Sequence, residues 1–418
     1  MTGRKGGYVM AESNTDTRRT VTGDLLRSLF RRFCPFESDL TLKRDDQRKT
    51  VLAVNANYPI EIEVAGFYHA ANMDGGSPMI VQVSGAGIEG LGRALKPKSH
   101  SPVTDLRLGA RMVAGVCQGY EAIYRPGFVA LGLDHFAVPD LRDALFADDK
   151  QGRPLAPCPS GEEVRRRLRE AIMAGEEYGI GRPSLEDTIA YEAYLSSEEY
   201  RHALAGFMAV IEEMKPAWAM IDTGEIPVGL NFAVTREVVE MVREAGSDAI
   251  IEAEYGATGQ AGAEDAYEPL SGPELARFAK QVAGFVKYTG AEGIAYPIGM
   301  EHAAPTAIKH EPDIMRLEHV QREIIRTAGR YVPFAQHGGT GAKEIARGLV
   351  GKNNVNTHFL VVAAQSFAMH VAKYSEGIAQ GRKSASGTAM YTSAARAIMD
   401  ATVDKLKQCG TYGALETF

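Results

Sequence analysis

The chain has 418 residues, of which 45% are hydrophobic and 24% are charged, a composition that excludes a fibrous fold and disorder throughout. Its 46 Lys and Arg residues are outnumbered by 53 Asp and Glu residues, and the net charge of −7 argues against a surface that binds nucleic acid. The four cysteines are scattered without a CxxC pair, which favours a reducing compartment. The sequence also has no apolar signal core and no apolar segment near the ~20 residues of a membrane span. We therefore expect a cytoplasmic protein that does not enter the membrane.

The first fifty residues are polar and basic, and we expect one or two short helices there. After them, short apolar runs alternate with amphipathic segments. The predicted strands are VLAVN (51–55), PMIVQVS (78–84), FVALGLD (128–134), AWAMID (217–222), DAIIEAE (248–254), GIAYPIG (293–299), YVPFAQ (331–336) and NNVNTHF (353–359). The helical patterns between the later strands span 234–246, 272–290, 311–329 and 341–350.

Nearly continuous apolar strands that alternate with amphipathic helices predict a parallel sheet covered by helices. Eight strands predict a closed α/β barrel of the (β/α)8, or TIM barrel, type. An open doubly wound sheet is the alternative, although no GxGxxG sequence follows the first strand. We therefore predict an N-terminal extension (1–50) and a single catalytic barrel (51–418) that ends in a C-terminal helical tail.

The interval between the third and fourth strands is unusually long. Residues 136–216 contain helical patterns at 162–179 and 195–215, which predicts a helical insertion into the barrel. The basic run RRRLRE (165–170) lies beside pairs of glutamates, so we interpret it as a solvated helix face rather than a nucleic-acid site. Because the insertion leaves the barrel beside strand three, it could cover the mouth of the barrel.

Histidines follow three of the predicted strands. Catalytic groups of barrels lie at the carboxyl ends of the strands. There the sequence places Asp134 and His135 after strand three, His302 after strand six and His337 after strand seven. One histidine at a strand end is most often structural, but three neutral imidazoles are a standard Zn²⁺ ligand set that leaves a position open for substrate. The three histidines are therefore candidate metal ligands.

Two further strand ends carry a possible phosphate site. The segment HGGTGA (337–342) leads from a predicted strand into a predicted helix. Consecutive glycines expose backbone N–H groups and a helix start adds positive potential, although an ordinary glycine turn explains the motif equally well. NVNT (354–357) follows the next strand and favours the phosphate hypothesis, because barrels often bind phosphate at the loops after strands seven and eight.

Taken in strand order, these motifs resemble the class II, metal-dependent fructose-bisphosphate aldolases. The matching motifs are AVNAN, SPMIVQVSGAG, LDH, MID, EAEYGATG, IGMEH, HGGTG and NVNT. The resemblance covers roughly residues 50–136 and 217–410, which is most of the chain.

The resemblance implies a zinc-dependent aldolase that reversibly cleaves a phosphorylated ketose. Its default substrate is fructose 1,6-bisphosphate, which yields dihydroxyacetone phosphate and glyceraldehyde 3-phosphate. Tagatose 1,6-bisphosphate or another sugar phosphate, a non-catalytic paralogue, and a different metal-dependent barrel enzyme such as a hydrolase are the alternatives. Family members are commonly homodimers or homotetramers.

The resemblance also implies roles for individual residues. The expected metal ligands are His135, His302 and His337, with Glu254 as a carboxylate close to the metal. Asp134 would act as acid and base on the hydroxyl group of the bond being split, and Glu264 would move the proton α to the ketone from a mobile loop. The expected substrate and phosphate contacts are Asn55, Ser84, Gly338, Gly339, Thr340, Asn354, Asn356 and Thr357.

Two positions depart from the family pattern. Ala303 stands where the family usually has Gly, and Asn356 stands where it usually has Asp in an NxDT motif. Both are expected near the phosphate and a monovalent cation that accompanies it, and asparagine lacks the charge of aspartate. We expect these positions and the insertion (136–216) to alter the choice of substrate rather than the chemistry.

Overall fold

Eight parallel strands close into a barrel in sequence order, which confirms the predicted TIM barrel. The structure is a computed structural model and describes residues 21–57, 59–95, 102–124, 128–146, 153, 155–256, 267–300 and 310–417. The strands are β1 Val51–Asn55, β2 Met79–Ser84, β3 Val129–Ala137, β4 Trp218–Asp222, β5 Ile250–Glu254, β6 Gly293–Ala295, β7 Phe334–Gln336 and β8 Val350–Val355. Nearly every strand residue is buried, because the barrel interior covers one face and the helices cover the other.

The helices surround the barrel and include those predicted at 234–246, 272–290 and 311–329. In the described ranges they are α1 Gly23–Arg32, α2 Ile60–Ala71, α3 Gly85–Leu95, α4 Pro102–Ile123, α5 Leu141–Phe146, α6 Gly161–Glu177, α7 Leu185–Ser196, α8 Glu198–Met214, α9 Val228–Glu244, α10 Gly272–Thr289, α11 Ile314–Ala328, α12 Thr357–Ala379 and α13 Thr388–Cys409. Among the described residues, no helix has both the length and the apolar character that a membrane crossing requires.

Helix α1 of the N-terminal extension closes the amino-terminal end of the barrel. Its buried side chains, Leu26, Leu29 and Phe30, pack against the inward-facing residues of the strands. The ring of Phe30 lies 5.4 Å from that of Trp218 on β4. Thr22 caps the helix by accepting a hydrogen bond from the backbone N–H of Leu25. Because this end is plugged, the carboxyl ends of the strands remain for chemistry.

The insertion after β3 packs on the outside of the barrel. Helix α6 lies against α9 and α10, and α8 lies against α4. Arg201 of α8 is buried and forms an ion pair of 2.7 Å with Glu237 of α9. The predicted solvated face is present on α6, where Arg166 pairs with Glu163 and Glu170. This finding confirms that the basic run is balanced by neighbouring glutamates.

The prediction of a helix at 341–350 is wrong. A short 3-10 turn at Gly339–Gly341 is followed by irregular chain up to β8. Gly348 has a φ of 76°, which no helix accommodates, and its N–H donates to Thr50 Oγ1 at 3.1 Å. Arg48 Nη1 donates to the backbone oxygen of Arg347 at 3.3 Å. Tertiary hydrogen bonds therefore occupy backbone groups that a marginally short helix would need.

The last strand begins and ends earlier than its predicted range of 353–359. It spans Val350–Val355, and Thr357 already begins α12. The prediction missed its first half because Gly351 and Lys352 do not look like a buried strand. Lys352 is nevertheless fully buried, since its ammonium group is paired with a carboxylate inside the barrel.

Candidate active site and metal centre

The carboxyl end of β3 carries a bulge that directs two consecutive side chains into the site. The register between β3 and β4 shifts between Leu133 and Phe136, and His135 has a φ of 33°, which is uncommon for a residue with a side chain. Side chains of a regular strand alternate between its faces. The bulge therefore allows Asp134 and His135 to face the same centre.

Asp134, His135 and His337 form a cluster that could hold a metal ion. One ligand atom from each residue lies within 4.8 Å of those of the other two. Nε2 of His135 and Nδ1 of His337 are 2.9 Å apart, although the residues come from β3 and the end of β7. The structure thus brings together two of the three predicted histidines and the predicted acid/base.

In each imidazole, the nitrogen that faces away from the other ring contacts a carboxylate. Nδ1 of His135 lies 2.8 Å from an oxygen of Asp222, and Nε2 of His337 lies 3.0 Å from an oxygen of Glu252. These contacts leave Nε2 of His135 and Nδ1 of His337 facing each other. Asn354 Nδ2 also lies 3.2 Å from Nδ1 of His337, and the two facing nitrogens are placed to share a cation.

Charge around His135 favours such a cation. Burial by itself lowers the pKa of His135, but the negative charge of Asp134 and the hydrogen bond with Asp222 outweigh it and raise that pKa to about 9. Burial likewise raises the pKa of Asp222, yet the hydrogen bond with His135 holds it well below its usual range. The surroundings of His135 therefore stabilise a positive charge at its imidazole. The donor set fits a metal of the Zn²⁺ type.

A buried ion pair lies beneath the cluster inside the barrel. Glu252 and Lys352 are both fully buried, and Nζ of Lys352 donates to Glu252 at 2.8 Å. The indole N–H of Trp218 donates to the same carboxylate at 2.5 Å. Burial raises the pKa of Glu252, but the charge of Lys352 and the bond from His337 lower it far below its usual range. The ionised carboxylate thus keeps the proton of His337 on Nε2 and directs Nδ1 to the site.

Amides orient the carboxylate of Asp134. Asn55 Nδ2 donates to one oxygen at 2.7 Å, and Asn354 Nδ2 lies 3.5 Å from the other. Gln82 Nε2 in turn donates to Asn55 Oδ1 at 2.9 Å. Asp134 is 4% exposed, so the carboxylate is held in a nearly water-free position. The amides thus fix the orientation of this carboxylate.

The glycine turn after β7 lies against β8. Gly338 has a φ of 70°, and a Cβ on Gly339 would lie 2.3 Å from Asn353 Oδ1. Thr340 Oγ1 accepts a hydrogen bond from the N–H of His358, in the first turn of α12, at 3.2 Å. The helix that begins beside this turn is therefore α12. The positive potential at the turn comes from the start of α12, and not from a helix at 341–350 as predicted.

The other predicted substrate contacts lie around the same rim. Asn356 is exposed before α12 and accepts a hydrogen bond from Asn57 Nδ2 at 3.0 Å, and Thr357 is the first residue of that helix. Ser84 ends β2, where its hydroxyl oxygen accepts from the N–H of Gly87 at 3.1 Å. Glu254 ends β5, and its charge contributes to the raised pKa of His135.

Three positions singled out in the sequence, Glu264, His302 and Ala303, lie outside the described residues. Sequence reasoning missed Asp222, Glu252 and Lys352. Asp222 carried a usable signal, since it is a carboxylate at a strand end like Asp134. Glu252 was detectable as a charged residue within a predicted apolar strand, whereas Lys352 lies just outside the predicted range of β8, and their pairing depends on the closure of the barrel.

Comparisons with known proteins identify the family and support the fold. Residues 202–414 match the family described as "Fructose-bisphosphate aldolase class-II". The fructose-bisphosphate aldolase of Staphylococcus aureus (strain Mu50 / ATCC 700699) is 30% identical over 223 residues, which cover 52% of this chain and 68% of that protein. A crystal structure of the fructose-bisphosphate aldolase from Campylobacter jejuni aligns with 94% of this chain and 96% of its own, with a TM-score of 0.56 and 15% identity. This structural likeness supports the barrel fold.

Proposed function

The chain belongs to the class II fructose-bisphosphate aldolase family of metal-dependent lyases, and we propose that it reversibly cleaves a phosphorylated ketose with the help of Zn²⁺. The proposed substrate is fructose 1,6-bisphosphate, and the products are dihydroxyacetone phosphate and glyceraldehyde 3-phosphate. One observation carries the proposal: two imidazole nitrogens, 2.9 Å apart, face each other beside Asp134, while carboxylates hold both far nitrogens.

The proposed metal ligands are His135, His302 and His337, with Glu254 close to the metal. When bound, Zn²⁺ supplies a Lewis acid that stabilises the negative charge developing on the ketone oxygen during cleavage. The protein prepares for it by fixing the imidazoles through Asp222 and Glu252. Because Glu252 is anchored by Lys352 and Trp218, the imidazole of His337 need not reorganise when the metal binds.

Asp134 is the proposed acid and base at the bond that breaks. In the cleavage direction its carboxylate accepts the proton of the substrate hydroxyl group, and in the synthesis direction it returns that proton. Asn55 and Asn354 hold its two oxygens, so the carboxylate is oriented before substrate arrives. Glu264 is the proposed group that moves the proton α to the ketone. General acid–base steps of this kind contribute about 10²–10⁴-fold to the rate.

The substrate phosphate is proposed to lie between the glycine turn and the start of α12. Gly338, Gly339 and Thr340 line one side, and Asn354, Asn356 and Thr357 line the other. Backbone N–H groups and the positive end of the helix favour an anion there. Asn55 and Ser84 are proposed to contact the rest of the sugar. The side chain of Asn356 is neutral, so a monovalent cation beside the phosphate would be bound less tightly than next to an aspartate.

A substrate panel tests the proposal. Fructose 1,6-bisphosphate, tagatose 1,6-bisphosphate, their monophosphates and the free sugars are incubated with the zinc-loaded protein and with protein stripped by a chelator. We expect cleavage of a ketose bisphosphate that disappears on stripping and returns with zinc. Full activity in metal-free protein contradicts the mechanism, and a preference for tagatose 1,6-bisphosphate selects the alternative substrate.

We also propose that residues 51–418 form one catalytic unit and that the protein is a homodimer or homotetramer. Light scattering after size-exclusion chromatography measures the assembly directly. A monomer at micromolar concentration contradicts this part of the proposal without affecting the chemistry.

A further inference from the structure

The side chain of Asn57 joins two parts of the rim of the proposed site. Asn57 follows the end of β1 by two residues, and its Nδ2 donates to Oδ1 of Asn356, directly before α12, at 3.0 Å. The same Nδ2 lies 3.2 Å from the backbone oxygen of Asn55 and 3.5 Å from Oε2 of Glu63 on α2. Asn55 in turn orients Asp134. Asn57 therefore links the strand that positions the proposed acid/base to the helix that begins at the proposed phosphate site.

The neighbours of Asn57 determine which end of its amide group faces Asn356. A backbone oxygen only accepts hydrogen bonds, and Asn55 supplies one. Oε2 of Glu63 is also an acceptor, because the backbone N–H of Asn57 donates to it. An amide oxygen at this place would face two acceptors, so the amide nitrogen of Asn57 lies there. The donor that faces Asn356 is thus fixed by the hydrogen bonds around it.

Packing holds Glu63 in place. Its side chain lies in the first turn of α2, and the residue is 1% exposed. One turn further along α2, the ring of Phe67 lies 5.0 Å from that of Phe359, in the first turn of α12, in an edge-to-face arrangement. Both rings are fully buried. Helix α2 is therefore packed against the start of α12, and Glu63 is a fixed acceptor for Asn57.

The bond from Asn57 also fixes the amide group of Asn356. Because Oδ1 of Asn356 faces a donor, its Nδ2 faces away from Asn57. Within the described ranges of the chain, this Nδ2 has no hydrogen-bond partner. Asn356 occupies the N-cap position of α12, yet its side chain does not cap the helix, although asparagine is among the preferred caps. The exposed amide thus offers a ligand a donor rather than an acceptor.

This available donor lies beside the glycine turn that follows β7. Thr340 Oγ1 accepts a hydrogen bond from the N–H of His358, two residues after Asn356. A Cβ on Gly339 would lie 2.4 Å from the backbone oxygen of Asn354, two residues before Asn356. The turn therefore contacts the chain on both sides of Asn356. A donor at this place complements an anion, and hydrogen bonds to charged acceptors are roughly twice as strong as neutral ones.

We propose that Asn57 is a positioning residue that directs Nδ2 of Asn356 to the phosphate group of the substrate. Without the bond from Asn57, the oxygen of the Asn356 amide is free to cap α12 and to compete with the phosphate for the N–H groups of its first turn. The pair thereby favours phosphorylated over unphosphorylated sugars. The identity of the ligand rests on the proposed function, whereas the orientation of Asn356 does not.

A double-mutant cycle tests whether Asn57 acts through Asn356. The affinity for inorganic phosphate is measured by titration calorimetry on the full-length protein with zinc added. We expect Asn356→Ala to weaken binding by about 10–100-fold, the range for a hydrogen bond to a charged group, and Asn57→Ala to weaken it by roughly 3–10-fold. The double variant should bind no more weakly than Asn356→Ala alone, because Asn57 then has no amide to orient.

Asn72→Ala is the matched control. Nδ2 of Asn72 also donates to a backbone oxygen, that of Tyr68 at 2.7 Å, but at the other end of α2. This variant should keep the phosphate affinity of the wild type. In the cleavage assay, Asn57→Ala should raise KM for the phosphorylated ketose by roughly 3–10-fold while kcat changes less. Asn57→Ser, whose hydroxyl group is too short to span the same distance, replaces the alanine variant if that variant does not fold.

Phosphate affinity separates this inference from the proposed function. Phosphate binding that depends on Asn356 and Asn57, in a protein that cleaves no ketose, would refute the proposed function alone. Cleavage by the wild type together with unchanged phosphate affinity in Asn57→Ala overturns the role of Asn57. Additive losses in the double variant overturn it as well, because Asn57 would then act independently of Asn356. A wild-type protein that binds no inorganic phosphate also overturns the inference.

Discussion

Nε2 of His135 lies 2.9 Å from Nδ1 of His337, and each imidazole turns its other nitrogen to a buried or half-buried carboxylate. The two residues come from β3 and the end of β7, on different sides of the barrel. Carboxylates on the far nitrogens fix the tautomer and orientation of both rings. The pair is therefore organised for a shared cation before any metal arrives.

His337→Ala should abolish stoichiometric zinc binding. The substitution removes one imidazole and leaves Glu252 without one of its hydrogen-bond donors. Zinc content after dialysis, measured by mass spectrometry, should fall well below one ion per chain. His69→Ala is the control, since His69 is exposed on α2 and should leave the zinc content unchanged. Retention of one zinc per chain in the His337 variant contradicts the proposed ligand set.

Asp134→Asn should lower kcat by about 10²–10⁴-fold. Asparagine keeps the shape of the side chain but cannot accept a proton from the substrate hydroxyl group. Single-turnover cleavage by the zinc-loaded variant measures the effect, and Asp143→Asn on the exposed face of α5 is the control. A loss smaller than tenfold would assign the acid/base role to another group.

Much of this architecture could be predicted from the sequence. Strands β1 to β5 are short and largely apolar, so their starts were predicted closely, although β3 continues to Ala137, beyond its predicted end at Asp134. The structure of β8 and of the segment before it could not be predicted from local sequence, because both depend on contacts with distant residues. Lys352 looks like a loop residue until barrel closure brings it to Glu252. The segment at 341–350 has a helical pattern but does not form a helix, because Arg48 donates a hydrogen bond to its backbone and Thr50 accepts one from it.

The site also contains residues that local sequence predicts and residues that depend on distant contacts. Asp134, His135 and His337 were found because strand ends are catalytic positions in a barrel. Glu252 could not be paired with His337 in advance, since the contact joins residues 85 positions apart across the barrel interior. The bulge that turns His135 into the site is equally invisible in the sequence, because it is a shift in the pairing of β3 with β4, which are far apart in the chain.

Lys352→Met should destabilise the protein and weaken its metal site together. It leaves the ionised carboxylate of Glu252 buried without its cation, which costs about 3–5 kcal/mol of unfolding free energy. Denaturant unfolding measures this loss, and chelator competition should show a weaker zinc affinity. The double variant Lys352→Met/Glu252→Gln removes both charges and should recover part of the stability. A single variant as stable as wild type would contradict the buried ion pair.

Glu63 should make the stability of the protein depend on pH. Burial raises its pKa from 4.5 to about 7, although hydrogen bonds from Asn57 oppose the shift. Between these values the folded chain holds a proton that the unfolded chain has lost, so unfolding free energy falls as pH rises from about 4.5 to about 7. Between pH 4.5 and pH 7, the unfolding free energy of the wild type should fall by roughly 3 kcal/mol relative to that of Glu63→Gln. Glu61→Gln, an exposed neighbour in the same helical turn, is the control. Parallel pH profiles for wild type and Glu63→Gln would contradict the shift.

Gly339→Ala should impair binding of the substrate phosphate. Its Cβ would lie 2.3 Å from Asn353 Oδ1 and 2.4 Å from the backbone oxygen of Asn354, so the turn must move away from β8. Such overpacking costs about 1–3 kcal/mol. We expect KM for the phosphorylated ketose to rise at least tenfold while zinc content stays at the wild-type level. Gly90→Ala is the control, because a Cβ at Gly90 on α3 has no atom within 4 Å. If Gly339→Ala raised KM equally for phosphorylated and unphosphorylated ketoses, the turn would shape the sugar site rather than hold the phosphate.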